Sequence, residues 1–364
     1  MRMLRTYVAW TVMLGAALAS MAWAPSRAMA AKPLPAETKA ETANLERLLP
    51  DDAEAVIVIN FKQLLNSPLL KKGGALESLK DLLKKNDDAQ KAIADLGLDP
   101  FTDIDAMISA QCGEGPDKGL IAVTGKFDVA KFDSKADAVA KEKKDAIKIH
   151  SVASGKDEYK VYEVSDLDQL IKFPAELAPF GPDASAVFVG VDKSAIVMSS
   201  SKEYVADALA KAAGKKKTEL KSKEIQKLLA KVDAKQTLSL VVLASILTKG
   251  PLGEEPQAKD VLDKIENITG GITVNDGIKT QLVLAAKDSE AAKAVNKKVG
   301  EGLDEAQQLV GALADLRKEL APLLDVVKGV KVAAKDKAVT IDSDISGELL
   351  QTLAKSLSSV LKRK

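Results

Sequence analysis

Residues 55–60 form a nearly unbroken apolar run, Ala55, Val56, Ile57, Val58 and Ile59 before Asn60, approached through Leu48, Leu49, Pro50, Asp51 and Asp52. Short and rich in β-branched residues, it predicts a strand buried on both faces. Leucines at three- and four-residue spacing then predict helical segments at 61–70 and 76–84. Pro68, Gly73 and Gly74 break them, and Gly97 and Pro100 close a third.

Three later segments share one shape, in which a strand, a tight polar turn and a second strand lead into an amphipathic helix. In the first, residues 186–191 turn through Asp192, Lys193 and Ser194 into 195–199, and Ser200 with Glu203 predicts a capping box for a helix ending before Gly214. In the second, 271–274 turn through Asn275, Asp276 and Gly277, the strongest hairpin signal in the chain, into 278–286, and a helix begins near Ser289 after Asp288. In the third, 330–334 turn at Lys335, Asp336 and Lys337 into 338–341, and Ser346 caps a helix running to about residue 361.

The recurrence extends backwards. Residues 238–243, followed by a short helix and Pro251-Leu252, echo 56–59 followed by a short helix and Pro68-Leu69. The strand pair 105–110 and 120–124, with a helix from about Asp128, occupies the place of the Asn275–Gly277 hairpin and its helix, and 147–149 with 160–164 adds an extra hairpin. The expected fold is therefore α+β: two related antiparallel-sheet modules, helices packed on one face of each, produced by tandem duplication. The modules fall at 48–214 and 236–364, with a polar lead at 31–47 and a linker and connecting helix at 215–235. Gly214, Lys215, Lys216 and Lys217, within 211–219, read as a solvated joint.

The first thirty residues read differently. Arg2 and Arg5 precede an uncharged stretch, 6–24, and Ala28-Met29-Ala30 offers a small-x-small cleavage site, the layout of a signal peptide. Cleavage after Ala30 sends the mature chain to the periplasm or the cell exterior; an uncut leader is long enough to span a bilayer and would anchor it. Pro25 disfavours a cut after Ala24, and no cysteine near the leader allows lipid attachment.

Removing residues 1–30 takes away Arg2, Arg5 and Arg27 and no acids, so a formal charge of +1 becomes −2. With lysines and acids finely interleaved and aromatics at only 4%, neither a nucleic-acid footprint nor a stacking platform for bases or sugars emerges. One cysteine, Cys112, excludes an intrachain disulfide, and one histidine, His150, excludes zinc sites built on two or three imidazoles. His150 lies on the polar side of an alternating strand, and Cys112 ends an apolar run as a buried thiol.

Three near-motifs have plainer readings. Gly119 to Lys126 resembles a phosphate loop, yet five residues separate the glycines and Phe127 stands where a hydroxyl must bind magnesium. Asp342, Asp344, Ser346 and Gly347 resemble the opening of a calcium loop, but Leu353 replaces the closing Glu, and helix capping explains Asp344 and Ser346. Asn267-Ile268-Thr269 fits a glycosylation acceptor. The paired acids Asp51-Asp52 and Asp87-Asp88 read as turn and helix-surface charges, and Lys362-Arg363-Lys364 complements a helix C-terminus.

The start Leu49-Pro50-Asp51-Asp52-Ala53 with its strand, and the later Ala186-Val187-Phe188-Val189-Gly190-Val191 hairpin, resemble exported bacterial proteins of unassigned function whose mature domain opens with an LP-x-D-A strand. The resemblance implies a compartment and a fold type, and no catalytic residue. No catalytic, cofactor-binding or metal-binding residue is assigned. The expected function is that of a non-catalytic exported protein, a binding or envelope-associated scaffold whose partner is a protein or an apolar small molecule. Nucleic acid is not expected, and membrane contact only through an uncleaved leader. The competing expectation is a hydrolase or isomerase that uses carboxylates and lysines without a recognisable motif.

Overall fold

The computed structural model describes residues 46–72, 74–113, 118–142, 147–165, 186–249 and 251–361. The expected signal peptide at 1–30, the polar lead up to residue 45 and the C-terminal Lys362-Arg363-Lys364 lie outside the described residues.

The strands, in chain order, are β1 Ala53–Asn60, β2 Ile104–Cys112, β3 Gly119–Gly125, β4 Ile147–Ser154, β5 Asp157–Ser165, β6 Ala186–Asp192, β7 Ala195–Ser199, β8 Leu238–Leu243, β9 Ile265–Val274, β10 Ile278–Ala286, β11 Lys331–Lys335 and β12 Ala338–Ile345. The chain is thus mixed helix and strand, with extensive antiparallel pairing. Contacts divide it into two compact units that interleave in sequence: the first takes in Pro35–Lys62 and Asp87–Glu255, the second Gln63–Asn86 and Pro256–Lys364. The modules expected at 48–214 and 236–364 were consecutive, whereas β8 pairs with β1 inside the first unit.

In the first unit the strand order is β8-β1-β2-β3-β7-β6-β5-β4. Register carries one row straight across it: Leu240, Ile57, Ser109, Ile121, Met198, Val189 and Tyr162 are successive partners. Because side chains alternate between faces, the neighbouring row of Val58, Ile108, Ala122 and Val197 points the other way. That second face holds the main core, where Leu48, Leu49, Val56, Ile108, Leu120, Val161, Val197, Val205, Leu209 and Ile225 pack together. Ile108 is 0% exposed, and its truncation to Ala is worth about 2–5 kcal/mol.

The helix Lys202–Ala212 lies on this core because Gly190 lets it approach: a Cβ there would sit 2.6 Å from both Leu209 Cδ1 and Val205 Cγ1. Its N-cap is Ser201, one residue later than the sequence pattern placed it; Ser201 Oγ accepts from Tyr204 N, and Ser201 itself bonds Glu203. On the opposite face, Phe132 and Ala136 from the helix Val129–Glu142 pack on Tyr162, Val164, Val187 and Val189. Adjacent residues Val161 and Tyr162 therefore enter different cores, and helices cover both faces of this part of the sheet rather than one. The strand β1 also departs from expectation: Val56 and Val58 are buried, but Ile57 is 39% exposed.

The second unit orders its strands β11-β12-β10-β9. Val274 pairs with Ile278 across Asn275, Asp276 and Gly277, so the sequence-strong hairpin forms. Leu69 N donates to Asn275 O at 2.7 Å, which seats the helix Pro68–Lys72 on the hairpin tip, with Leu70 only 2% exposed. Asp288 caps the 28-residue helix Ser289–Leu316 through Ala291 N at 2.7 Å. Ala292 and Val295 on its first turns are buried, as are Val339 from β12 and Leu350 and Leu353 from the helix Gly347–Leu361. Among the described residues no helix is long and apolar enough to cross a membrane.

Candidate functional site

The most concentrated polar chemistry is in the first unit and is built around Lys211. The helix Lys202–Ala212 is buried nearly all round, and Lys211 sits in its last turn with a side chain 0% exposed. Its ammonium has three donors, and three acceptors meet them: Leu49 O, Asp51 Oδ1 and Asp207 Oδ2, each at 2.8 Å. Asp207 also pairs with Lys216, and Asp51 Oδ1 accepts from Glu219 N at 3.1 Å. Burial pushes the Asp51 carboxyl up; the bonds from Lys211 and Glu219 N–H, with the charges of Lys211 and Lys216, outweigh it and leave the group below the usual range.

Beside this cluster, Tyr204 Oη donates to Asp52 Oδ2 at 2.8 Å and lies within hydrogen-bonding reach of the Cys112 thiol. Cys112 is 0% exposed; burial, then the negative charges of Asp52 and Glu54, pushes its pKa up to about 12. It is a free, protonated thiol and a poor nucleophile. The Tyr204 hydroxyl is likewise held up by burial and by Asp52.

The segment expected as a solvated joint is exposed from Gly214 to Lys217, but it lies inside the first unit and is tied to it by side-chain bonds. Gly214, at φ +72, ends the helix as expected, but Lys215 pairs with Asp157, Lys216 with Asp207, and Thr218 Oγ1 donates to Arg47 O. Lys221 N donates to Asp51 O at 2.7 Å. Sequence does not single out Lys211 from the lysines after it, because Asp51, which meets its ammonium, is 160 residues away in the chain. The one local signal was the i,i+4 pair Asp207 and Lys211.

A second polar group lies where β5 and β6 part company. Their pairing ends at Tyr162 and Val189, although β5 starts at Asp157 and β6 continues to Asp192. A slot of about 140 Å³ opens there, lined by Asp133, Tyr159, Lys160, Tyr162 and Asp192 among others. Tyr162 Oη donates to Asp133, and Lys160 bridges Asp137 at 3.2 Å and Asp133 at 3.9 Å. The buried Tyr159 hydroxyl has no protein hydrogen-bond partner. Nearby, His150 Nε2 lies 2.7 Å from Glu163 Oε2 with Lys148 on the other oxygen, and His150 meets Phe188 edge-on. The bond to His150 holds the Glu163 carboxyl below its ordinary range despite some burial, and Lys148 adds to the effect. Among the described residues no serine is shown bonded to His150: Ser151 bonds Glu158.

The near-motifs resolve into backbone geometry. Gly125 N donates to Ser194 O, Lys126 N to Asp103 O and Phe127 N to Lys193 O, so the amides a phosphate would need are already used. The glycine is required because a Cβ at 125 would sit 1.9 Å from Asp103 O. Asp342 and Asp344 lie inside β12, paired with Gln281 and Lys279, and are no loop; Lys279 Nζ, 3.2 Å from Asp344, supplies the positive charge. Ser346 accepts from Leu349 N, the capping role expected of it. Asn267 is 7% exposed in mid-strand, which removes it from the surface a glycan needs. Asp87 and Asp88 open the helix Asp87–Leu96. Among the described residues no group of three or more His, Cys, Asp or Glu is placed to hold a metal ion.

What stays open is apolar. In the first unit the row through Leu240, Ile57, Ser109 and Ile121 is half-buried at most positions, with Ile57 exposed, beside a second row of Leu238, Ile59, Met107 and Val123 in the same condition.

No family model and no curated protein matches the chain. Among solved structures, crystal form I of a protein designated TP0453 is similar at a TM-score of 0.39 and 12% identity, over 87% of this chain and 96% of that one. A likeness of that size supports no argument about fold or function.

Proposed function

We propose that this chain is a non-catalytic exported protein, a binding or envelope-associated scaffold that offers an apolar sheet face to a protein or an apolar small molecule. One observation carries the reading: charged groups in the polar clusters bond one another, whereas the rows around Ile57 and Leu240 keep apolar surface in reach of solvent. Under the competing hydrolase or isomerase reading, Lys211 with Asp51 and Asp207 is the strongest convergence of lysine and carboxylates. Its ammonium is fully enclosed, and all three of its protons are engaged. The two modules as tandem copies, the signal peptide and its cut after Ala30 belong to the same proposal, with the anchored form as the alternative.

The test is a binding measurement with an apolar fluorescent probe such as 1-anilinonaphthalene-8-sulfonate on the exported chain and on Ile57→Lys. Saturable binding that Ile57→Lys weakens about 10-fold or more supports the reading. Probe binding indifferent to Ile57→Lys, or turnover of model esters or peptides abolished by Asp207→Asn, sinks it.

A further inference from the structure

Charge is unevenly placed along this chain. Residues 214–235 hold eight lysines against three acids, Glu219, Glu224 and Asp233, a net +5, so the rest of the chain from residue 31 onward carries −7. All eight lysines are exposed. Lys215 and Lys216 are engaged by Asp157 and Asp207, and Glu219 acts on Lys216 as well. Among the described residues, Lys217, Lys221, Lys223, Lys227 and Lys231 make no ion pair.

The fold sets three of these five on one line. In the helix Lys223–Leu229, Ile225 and Leu229 are buried in the main core. At about 100° per residue, Lys223 and Lys227 lie on the opposite, outer side. Ala230 keeps helical angles, φ −61 and ψ −17, and Lys231 N donates to Leu228 O at 3.0 Å, so Lys231 prolongs the same line. Lys221 stands just before the helix, and Glu224 is the one acid within it. Because the apolar side is already committed to the core, the outer side offers charge without anything to insert.

We propose that this line of lysines docks the first unit on an anionic lipid surface, with headgroup phosphates as its partners. A cluster of four to eight basic residues beside a helix is what such a surface attracts. A nucleic acid is the poorer fit, because no aromatic side chain lies within 214–235 to stack on a base. Ile225 and Leu229 pack with Val56 and Ile108, on the side of the sheet opposite Ile57 and Leu240. A docked unit therefore turns its open apolar rows away from the bilayer. The inference goes beyond the scaffold reading by adding membrane contact without the leader, through a different surface.

Co-sedimentation of the exported chain with vesicles tests it. In low salt, half of the chain should bind phosphatidylcholine vesicles containing about 40% phosphatidylglycerol at about 0.2–1 mM accessible lipid, and none should bind pure phosphatidylcholine. Raising salt to about 0.3 M should weaken binding about 10-fold or more. The triple variant Lys223→Gln/Lys227→Gln/Lys231→Gln should weaken it about 100-fold. Lys328→Gln/Lys331→Gln/Lys335→Gln removes the same charge from exposed positions of the second unit and should stay within about 3-fold of the parent. An unchanged circular dichroism spectrum checks folding in each. Absence of binding to anionic vesicles, equal losses in the two triple variants, or tighter binding to soluble polyglutamate or an oligonucleotide than to vesicles overturns the proposal. Apolar-probe binding can fail while vesicle binding stands, and the reverse, so the two readings fail separately.

Discussion

Replacing Lys211 by Met keeps the length of a side chain that is 0% exposed and removes its charge. Three acceptors lose a 2.8 Å bond: Leu49 O, Asp51 and Asp207. Stripping one partner from a buried ion pair costs about 3–5 kcal/mol. The carboxylates are 25% and 20% exposed, so water recovers part of that, and the expected loss is about 2–4 kcal/mol. Both tryptophans, Trp10 and Trp23, precede Ala31, while Tyr159, Tyr162 and Tyr204 all belong to the first unit. Tyrosine fluorescence during urea unfolding of the leaderless chain therefore reports that unit alone. At a urea slope of about 2 kcal/mol/M the midpoint should fall by about 1–2 M. Acid adds a second reading. The folded Asp51 pKa lies below the unfolded value, so its contribution is complete above the unfolded pKa of about 3.9 and is lost as pH falls through the folded one. The gap between parent and Lys211→Met should accordingly narrow below about pH 4. A midpoint shift under about 0.3 M at neutral pH would refute the enclosed network.

The same geometry sets three further outcomes. Cys112, with its pKa pushed up to about 12, should react with a thiol reagent at pH 8 more than about 10³-fold slower than a free cysteine, and at ordinary speed once urea unfolds the first unit; fast labelling of the native chain would contradict its burial. Gly190→Ala drives a Cβ to 2.6 Å from Val205 and Leu209 and should cost about 1–3 kcal/mol in the same unfolding assay, whereas Gly300→Ala, with nothing within 4 Å, should be neutral or stabilising by up to about 1 kcal/mol in thermal unfolding of the second unit. Tyr159→Phe removes a buried hydroxyl that no protein group satisfies, so stability should hold or rise by up to about 1 kcal/mol; a clear loss would mean that water or a ligand serves that oxygen.

Legibility in the sequence depends on the range of the interaction. Hairpins and caps were readable because their causes lie within a few residues: Asn275 to Gly277 turns the chain, Asp288 and Ser346 cap the helices that start beside them, and Asp336 at φ +54 lies in the third turn as expected. The capping serine shifted from 200 to 201 because several hydroxyls in a row offer equivalent signals, and only the helix path chooses between them. Single near-motifs failed for local reasons too, visible in a wrong spacing or a missing ligand. Pairing across distance left no such trace. Nothing in the pattern of β1 announces that Ile57 lies between Ser109 and Leu240, or that one side of the strand stays partly open.

Lys211 shows why charge patterning misleads most at the places that matter for stability. A lysine beside Gly214 and three further lysines has the composition of a solvated joint, and composition averages over side chains that the fold treats in opposite ways. Here Lys215 and Lys216 reach outward to Asp157 and Asp207, while Lys211, four residues earlier on a helix whose neighbours Ala208, Leu209 and Ala212 are buried, points into the core. The inward position depends on distant groups: Leu49 O and Asp51 arrive from the far end of the unit to meet the ammonium, and without them the lysine would have to snorkel out or lose its proton. The start of β1 and the end of the helix Lys202–Ala212 are therefore specified jointly. A chain carrying either partner alone would bury an unpaired charge, so the cluster selects this pairing over alternatives that local propensity would accept equally.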